Sequence, residues 1–287
     1  MVPVRTRSSF VPIASIVLAL AACDEGKKAS EQSAADTLAQ LAPVLKEDVE
    51  QVRRGLPQGA EKLGSMLDAD TMGNPAALQK AVARARATVK DLAVAKTTFF
   101  SFADTTGRVV RSEADPDVLA DKSILAAFGP LKKAMDPGGG LVEAWGEMKE
   151  LRGAKTGPDL EWVAAAPVKG DKGQIKGMLV TGWSLRALAY HLENAAKLSL
   201  AEAAEKTGKK NPPLVYVFVV KGKTAYGPPI APDVNEHAIE GLDLVGKTSG
   251  GSYRGALEIT GRVFGVAGAR APELGDDAAL AVLASEI

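Results

Sequence analysis

Apolar residues recur along the first third of the chain at the spacing of an amphipathic helix. The first stripe advances in steps of three and four residues: Leu38, Leu41, Leu45, Val49, Val52 and Leu56. Pro43 inside this stripe predicts a kink, and the glycine-rich range Gly55 to Asn74 predicts an interruption. A second helical stripe follows with Leu78, Val82, Val89 and Leu92. The pattern therefore predicts a helical stem over residues 34–96.

The stem stripes have two interpretations. They can pack against the rest of the same chain, or they can form the seam of a parallel dimer. No heptad series persists over three or four repeats, which favours packing within the chain. Both interpretations stay open at this level.

After Lys96 the pattern changes to short strands separated by turns, and the same order occurs twice. The first half predicts strands over Thr97–Ala103, Arg108–Ser112, Leu141–Met148, Leu160–Val168 and Ile175–Trp183, with helical signals from Asp117 to Ala134. The second half predicts strands over Leu214–Val220, Thr224–Gly227, Tyr253–Thr260, Arg262–Ala271 and Ala278–Ser285, with a helix over Asp233–Glu240. A long alanine-rich helix from Ser184 to Lys206 joins them. Each half therefore has the order β-β-α-β-β-β.

The N-terminus has the pattern of a secretory leader. Arg5 and Arg7 precede an apolar stretch that is too short to span a bilayer as a stable helix. Leu20-Ala21-Ala22-Cys23 resembles the lipobox of bacterial lipoproteins, and Cys23 is the chain's one cysteine. The resemblance implies that residues 1–22 are removed and that Cys23 carries the lipid. An ordinary cleaved signal with an unrelated cysteine is the alternative.

Two segments of the first half resemble Cache domains, which are extracytoplasmic PAS-like sensors. Phe99-Phe100-Ser101-Phe102-Ala103-Asp104 through Val110 is similar to their opening hairpin. Trp162 to Val168 and Gly177 to Gly182 are similar to their closing strands. The resemblance implies an α+β fold with an N-terminal helical stem and two PAS/Cache-like modules, each an antiparallel sheet with helices on one side. The Arg-x-Trp-Tyr pattern by which one Cache subgroup holds amino acids is missing.

These observations divide the chain into six parts. They are a lipoprotein signal peptide (1–22), a tether (23–33), the helical stem (34–96), a first Cache-like module (97–183), a connecting helix (184–212) and a second Cache-like module (213–287).

Composition excludes several classes of function. The 287 residues carry 35 basic and 35 acidic side chains, and this balance argues against a nucleic-acid partner. One cysteine and two histidines argue against a metal site, and no cofactor is expected. Gly241 to Thr248 matches the letters of a phosphate-binding loop, but Ser249-Gly250-Gly251-Ser252 follows where a helix should begin. No pattern of catalytic residues emerges, and we expect a protein that is not an enzyme.

A PAS-like module offers a cleft between its sheet and the covering helices, and aromatic and charged residues are candidates to line it. In the first half these are Trp145, Trp162, Trp183, Arg111 and Asp104. In the second half they are Tyr226, Tyr253 and Arg262. Plain core packing is the alternative role of the tryptophans.

The sequence thus predicts a lipid-anchored lipoprotein of the bacterial cell envelope that faces the periplasm and binds or senses a small solute, without an output domain of its own. The alternative is a structural or assembly adaptor whose modules contact an envelope partner protein or a second copy in a homodimer. Packed tryptophans favour the adaptor, and tryptophans that line a cavity favour the binder.

Overall fold

The computed structural model describes residues 14–151, 157, 159–208 and 211–285, with side chains from residue 25 onwards. Residues 1–13 of the expected leader and the side chain of Cys23 lie outside this described part, whereas the backbone of residues 14–22 is helical. No helix among the described residues is long and apolar enough to cross a membrane.

The first element is a 53-residue helix, α1 (Ala14–Met66). Three shorter helices follow it: α2 (Ala69–Gly73), α3 (Pro75–Thr88) and α4 (Lys90–Val94). The predicted stripe from Leu38 to Leu56 is at most 5% exposed and lies in one core cluster with residues of both sheets. The helix therefore packs within its own chain, and the interpretation of this stripe as a dimer seam is wrong.

Helix α1 is continuous where the sequence predicted breaks. Residues 23–33, expected as a flexible tether, are helical, and so are both prolines. Pro43 and Pro57 lie on the exposed side, where water can satisfy the carbonyl groups that they leave without a donor. Burial of the opposite side across two sheets outweighs the local cost of the prolines.

The glycines that predicted an interruption of α1 are contact positions instead. A Cβ at Gly59 would lie 2.5 Å from Leu92 of α4 and 3.1 Å from Leu179. At Gly64 it would lie 2.1 Å from the carbonyl oxygen of Lys169. These glycines let α1 approach the first module more closely than any larger residue allows.

Two five-stranded antiparallel sheets have the same strand order, 2-1-5-4-3 within each module. Sheet 1 contains β1 (Phe99–Asp104), β2 (Val109–Ser112), β3 (Val142–Gly146), β4 (Glu161–Lys169) and β5 (Ile175–Ser184). Sheet 2 contains β6 (Leu214–Lys221), β7 (Thr224–Tyr226), β8 (Tyr253–Ile259), β9 (Arg262–Arg270) and β10 (Ala278–Ser285). The two predicted halves and the PAS-like fold class are confirmed.

Each sheet buries both faces. The inner face packs on α1, and the outer face carries the module's own short helices on one side, as predicted. In the first module these are α5 (Ile124–Ala127) and the 3₁₀ segments Gly129–Met135 and Lys149–Leu151. The connecting helix is α6 (Leu185–Thr207), and the second module adds α7 (Asp233–Glu240) and α8 (Leu244–Lys247).

The closest contact between α1 and sheet 2 supplies a test. A Cβ at Gly265 would lie 2.1 Å from the backbone carbon and oxygen of Ser30. Because backbone cannot move aside cheaply, we expect Gly265→Ala to lower the free energy of unfolding by about 2 kcal/mol, measured by urea denaturation. Gly250→Ala is the matched control, since nothing lies within 4 Å of that position. Equal stability of the two variants would contradict this packing of α1.

Candidate functional site

The outer face of sheet 1 is covered by residues 113–141, here called the cover segment. Alternate residues of the strands, among them Phe99, Val163 and Val180, pack against apolar residues of the cover. The largest of these cover residues are Leu119, Ile124, Phe128 and Leu131. The interior of the first module is therefore largely filled by side chains.

One cavity of about 120 Å³ remains between β1, β2 and the cover segment. It is lined by Thr98, Phe99, Ser112, Ala114, Val118, Leu119, Glu150 and Leu151. An apolar cavity of about 150 Å³ holds benzene, so this one suits a solute of only a few heavy atoms.

Asp117 fixes the loop that closes the cavity. Its carboxylate accepts hydrogen bonds from the Ser112 amide at 2.8 Å and the Ser112 hydroxyl at 2.6 Å. The amides of Leu119 and Ala120 donate to it at 3.2 and 3.1 Å. Burial of the Asp117 carboxyl favours its neutral form, but these hydrogen bonds outweigh burial and hold its pKa below the usual 3.8. The loop therefore depends on an ionised carboxylate.

Ser101 adds a buried hydroxyl beside the cavity. It is paired with Ser112 across β1 and β2, so both side chains lie on the outer face of the sheet. Ser101 is fully buried, and its hydroxyl has no hydrogen-bond partner among the described residues. An unpaired buried hydroxyl costs stability. Sequence reasoning missed this residue, although a serine between Phe100 and Phe102 at a buried position was the available signal.

Glu150 lines the cavity from the far side. Its carboxylate forms an ion pair with Lys122 at 3.0 Å. The hydrogen bond from Lys122 lowers the pKa of Glu150 below its usual 4.5. The lining of the cavity thus includes the Glu150 carboxylate and the Ser112 hydroxyl.

The tryptophans do not line this cavity. Trp162 and Trp183 stack on the inner face of sheet 1 with ring centroids 5.0 Å apart, and both are 1% exposed. The indole of Trp162 donates to Glu143 at 3.1 Å, and that of Trp183 donates to the Lys96 carbonyl at 2.8 Å. The structure therefore packs this pair in the core, which is the alternative role given to the tryptophans above.

The other three first-half predictions also lie apart from the cavity. Trp145 is partly buried on the inner face, with the ammonium of Lys221 4.3 Å from its ring centroid. Asp104 stabilises the turn after β1 by accepting from Thr106 and the Arg108 amide. Burial raises the pKa of the Asp104 carboxyl, but those hydrogen bonds lower it by more, so its pKa lies below the usual 3.8. Arg111 lies on β2, where its side chain contacts Pro75 and Asp117.

The second-half candidates are separated from one another. Tyr226 on β7 and Tyr253 on β8 lie at opposite edges of sheet 2, with three strands between them. Tyr226 is buried beside Arg186, and burial raises the pKa of its hydroxyl. Tyr253 lies under Lys247, and Arg262 is exposed at the start of β9. The structure does not bring these residues together as a site.

Two arginines that the sequence analysis missed connect the modules. Arg53 of α1 donates to both carboxylate oxygens of Glu143 in module 1, at 2.7 and 3.0 Å, and to the Glu273 carbonyl in module 2 at 2.9 Å. These carboxylate contacts raise the pKa of Arg53, which keeps its charge. Arg186, in the first turn of α6, pairs with Glu236 of α7 at 2.7 Å, and both side chains are at most 10% exposed. Only the folded partners reveal these roles, since neither arginine stands in a sequence motif.

Metal ligation has no support in the described part of the chain, where no group of three or more histidine, cysteine, aspartate or glutamate side chains converges.

The pKa of Asp117 gives a pH-dependent prediction. The folded pKa of Asp117 is depressed below 3.8, so its ionised carboxylate stabilises the folded state fully at pH values above the unfolded pKa. This stabilisation is lost as the pH falls through the folded pKa. We expect Asp117→Asn to cost about 1–2 kcal/mol near neutral pH and progressively less in acid. Urea denaturation at a series of pH values measures the difference. A pH-independent difference, or an equal effect of Asp171→Asn at an exposed carboxylate, would contradict the assigned role.

No protein-family model matches the sequence, and no curated protein matches it. The fold is shared with solved structures at 13% sequence identity, which establishes the fold alone. An extracellular domain attributed to a histidine kinase has a TM-score of 0.53, with 91% of this chain and 93% of that chain covered. A domain attributed to a sensory box/GGDEF family protein from Vibrio parahaemolyticus has a TM-score of 0.51, with 90% and 97% covered.

An extracellular ligand binding receptor from Desulfohalobium retbaense is similar at 13% identity with a TM-score of 0.47. The match includes 87% of this chain but only 39% of that receptor. The two structures with TM-scores above 0.5 show that the described residues have a double Cache-like α+β fold.

Proposed function

We propose that this protein is a non-enzymatic envelope module that binds a small polar solute in the cavity of its first module. The observation that carries the proposal is the cavity of about 120 Å³, lined by the polar side chains of Ser112 and Glu150, inside a sensor-type fold. A solute with a hydrogen-bonding group would donate to the Ser112 hydroxyl or the Glu150 carboxylate, while Phe99 and Leu119 would cover its apolar part.

A bound solute would reach the second module through α6. Strand β1, which supplies Phe99 to the cavity, pairs along its whole length with β5. Strand β5 runs directly into α6, where Arg186 holds Glu236 and the Gly227 carbonyl. A shift of β5 would displace this buried ion pair. A solute that favours one position of β5 would therefore also change the populations of the arrangements of the ion pair.

We further propose that Cys23 carries a lipid and anchors the chain to a membrane of the cell envelope, on the periplasmic side. Ser30, which touches sheet 2, lies seven residues after Cys23, or about 10 Å along a helix. Arg53, at the junction of the modules, lies about 45 Å from Cys23 by the same rise. The second module would then be next to the membrane and the solute site would be remote from it.

The adaptor role is the second candidate, and two observations favour it. The stacked tryptophans are packed rather than lining a cavity. The cavity is also smaller than the roughly 300–1,000 Å³ of ordinary ligand pockets. In this role the modules would present contact surfaces to an envelope partner, and the interior would need no ligand.

A thermal-unfolding screen separates the two roles. We expect one of a panel of small acids, amines and alcohols to raise the melting temperature by about 5 °C at ~100 times its Kd. Ala114→Leu, which narrows the cavity, should abolish the shift, while Ala93→Leu at an exposed position of α4 should preserve it. A panel without any shift, or one in which Ala114→Leu abolishes none of the shifts, would overturn solute binding in this cavity.

Lipid attachment is tested separately by Cys23→Ser. The lipoprotein hypothesis predicts that the unchanged chain, expressed in a bacterium, incorporates labelled palmitate and sediments with membranes, and that the variant does neither. An unlabelled wild-type chain, or equal labelling of both chains, would show that Cys23 is not the anchor.

A further inference from the structure

A second, larger cavity lies outside the modules, in the groove between α1 and α6. Its volume is about 420 Å³, within the usual range for small-molecule pockets. It is lined by Ala29, Gln32, Ser33, Asp36, Thr37 and Gln40 of α1, by Leu200, Ala203, Ala204 and Thr207 of α6, and by Pro213.

The groove has an apolar wall and a polar wall. Leu200, Ala203, Ala204 and Pro213 form the apolar wall, and the small alanines leave the space between the helices open. The two helices are joined at Ser199, whose hydroxyl donates to Gln40 at 2.9 Å. This contact holds α1 and α6 together beside Gln40 and Leu200, two of the lining residues.

Asp36 is the one charged residue among the lining residues. One of its carboxylate oxygens accepts from the Gln32 amide at 2.7 Å. It has no ion pair with any described residue, and it lies beside the apolar wall. A carboxylate in this position favours a cationic ligand, and the groove contains no second charge that would require an anionic group on the ligand.

Thr37 supplies a second polar group at the floor of the same groove. Its side chain is 1% exposed, and its hydroxyl has no hydrogen-bond partner among the described residues. Buried hydroxyls in folded proteins nearly always form a hydrogen bond, and no described residue forms one with the Thr37 hydroxyl. A ligand in the groove could supply this hydrogen bond. Asp36 and Thr37 both line the groove.

We propose that this groove binds a small organic amine in its protonated form. The ammonium group pairs with Asp36, a neighbouring hydroxyl or amine of the ligand bonds to Thr37, and the carbon skeleton lies along Leu200 and the two alanines. The site is independent of the cavity in module 1, because α1 and α6 supply its walls and no residue is shared.

Thermal unfolding of the purified chain tests the proposal with named probes. We expect ethanolamine and putrescine at millimolar concentration to raise the melting temperature by a few degrees, with sodium chloride of equal ionic strength as the reference. Choline, which has no N–H to donate, should give a smaller shift, and glycerol and succinate should give none. The absence of a shift with both amines would overturn the proposal.

Two variants with matched controls assign the shift to the groove. Asp36→Asn should abolish the amine shift, whereas Glu205→Gln, at an exposed carboxylate of α6 outside the lining, should retain it. Thr37→Val should stabilise the ligand-free protein, because it removes a buried unpaired hydroxyl, and should weaken the ethanolamine shift. An amine shift that survives Asp36→Asn would contradict the site. A shift that Ala114→Leu abolishes and Asp36→Asn leaves intact belongs to module 1 instead.

Discussion

Burial of one side of α1 across both sheets is the interaction on which the rest of the structure depends. The stripe from Leu38 to Leu56 belongs to the same core cluster as Val217 and Val282 of sheet 2 and Trp183 of sheet 1. Each sheet is too small to bury two faces alone, and α1 covers the face that the module's own helices leave open. The helix is therefore the shared inner wall of two modules, which explains why it continues through two prolines.

The sequence predicted the strands well because side chains of a strand alternate between its two faces, and this period of two residues is visible directly in the sequence. All ten predicted strands lie within about two residues of the observed ones, and the repeated order identified the duplicated fold. The path of α1 was not predictable from local signals. Gly59 and Gly64 are helix-breaking residues by propensity, and only the position of Leu92 and the Lys169 carbonyl shows them to be contact residues.

The candidate site was harder to predict than the fold, for a related reason. Aromatic residues attract attention in a sequence, but Trp162 and Trp183 lie on the face that packs on α1. The groups beside the cavity are small and polar, and Ser101 and Asp117 acquire significance only from their neighbours. Arg53 and Arg186 were invisible for the same reason, since their partners lie 90 and 50 residues away in the chain. Ion pairs between residues that are far apart in the chain form no motif in the local sequence.

The order of elements has a consequence for how this chain reaches its folded state. The central strand of each sheet is the last one of its module, β5 in the first and β10 in the second. Helix α1 comes first in the chain, yet Ser30 packs on Gly265 and Arg53 bonds to Glu273. Contacts of such long sequence separation form slowly, because the loop must close before they are made. During synthesis, the apolar side of α1 therefore stays uncovered until the last strand of the second module has been made, and a chaperone that shields an amphipathic helix would increase the yield of folded protein.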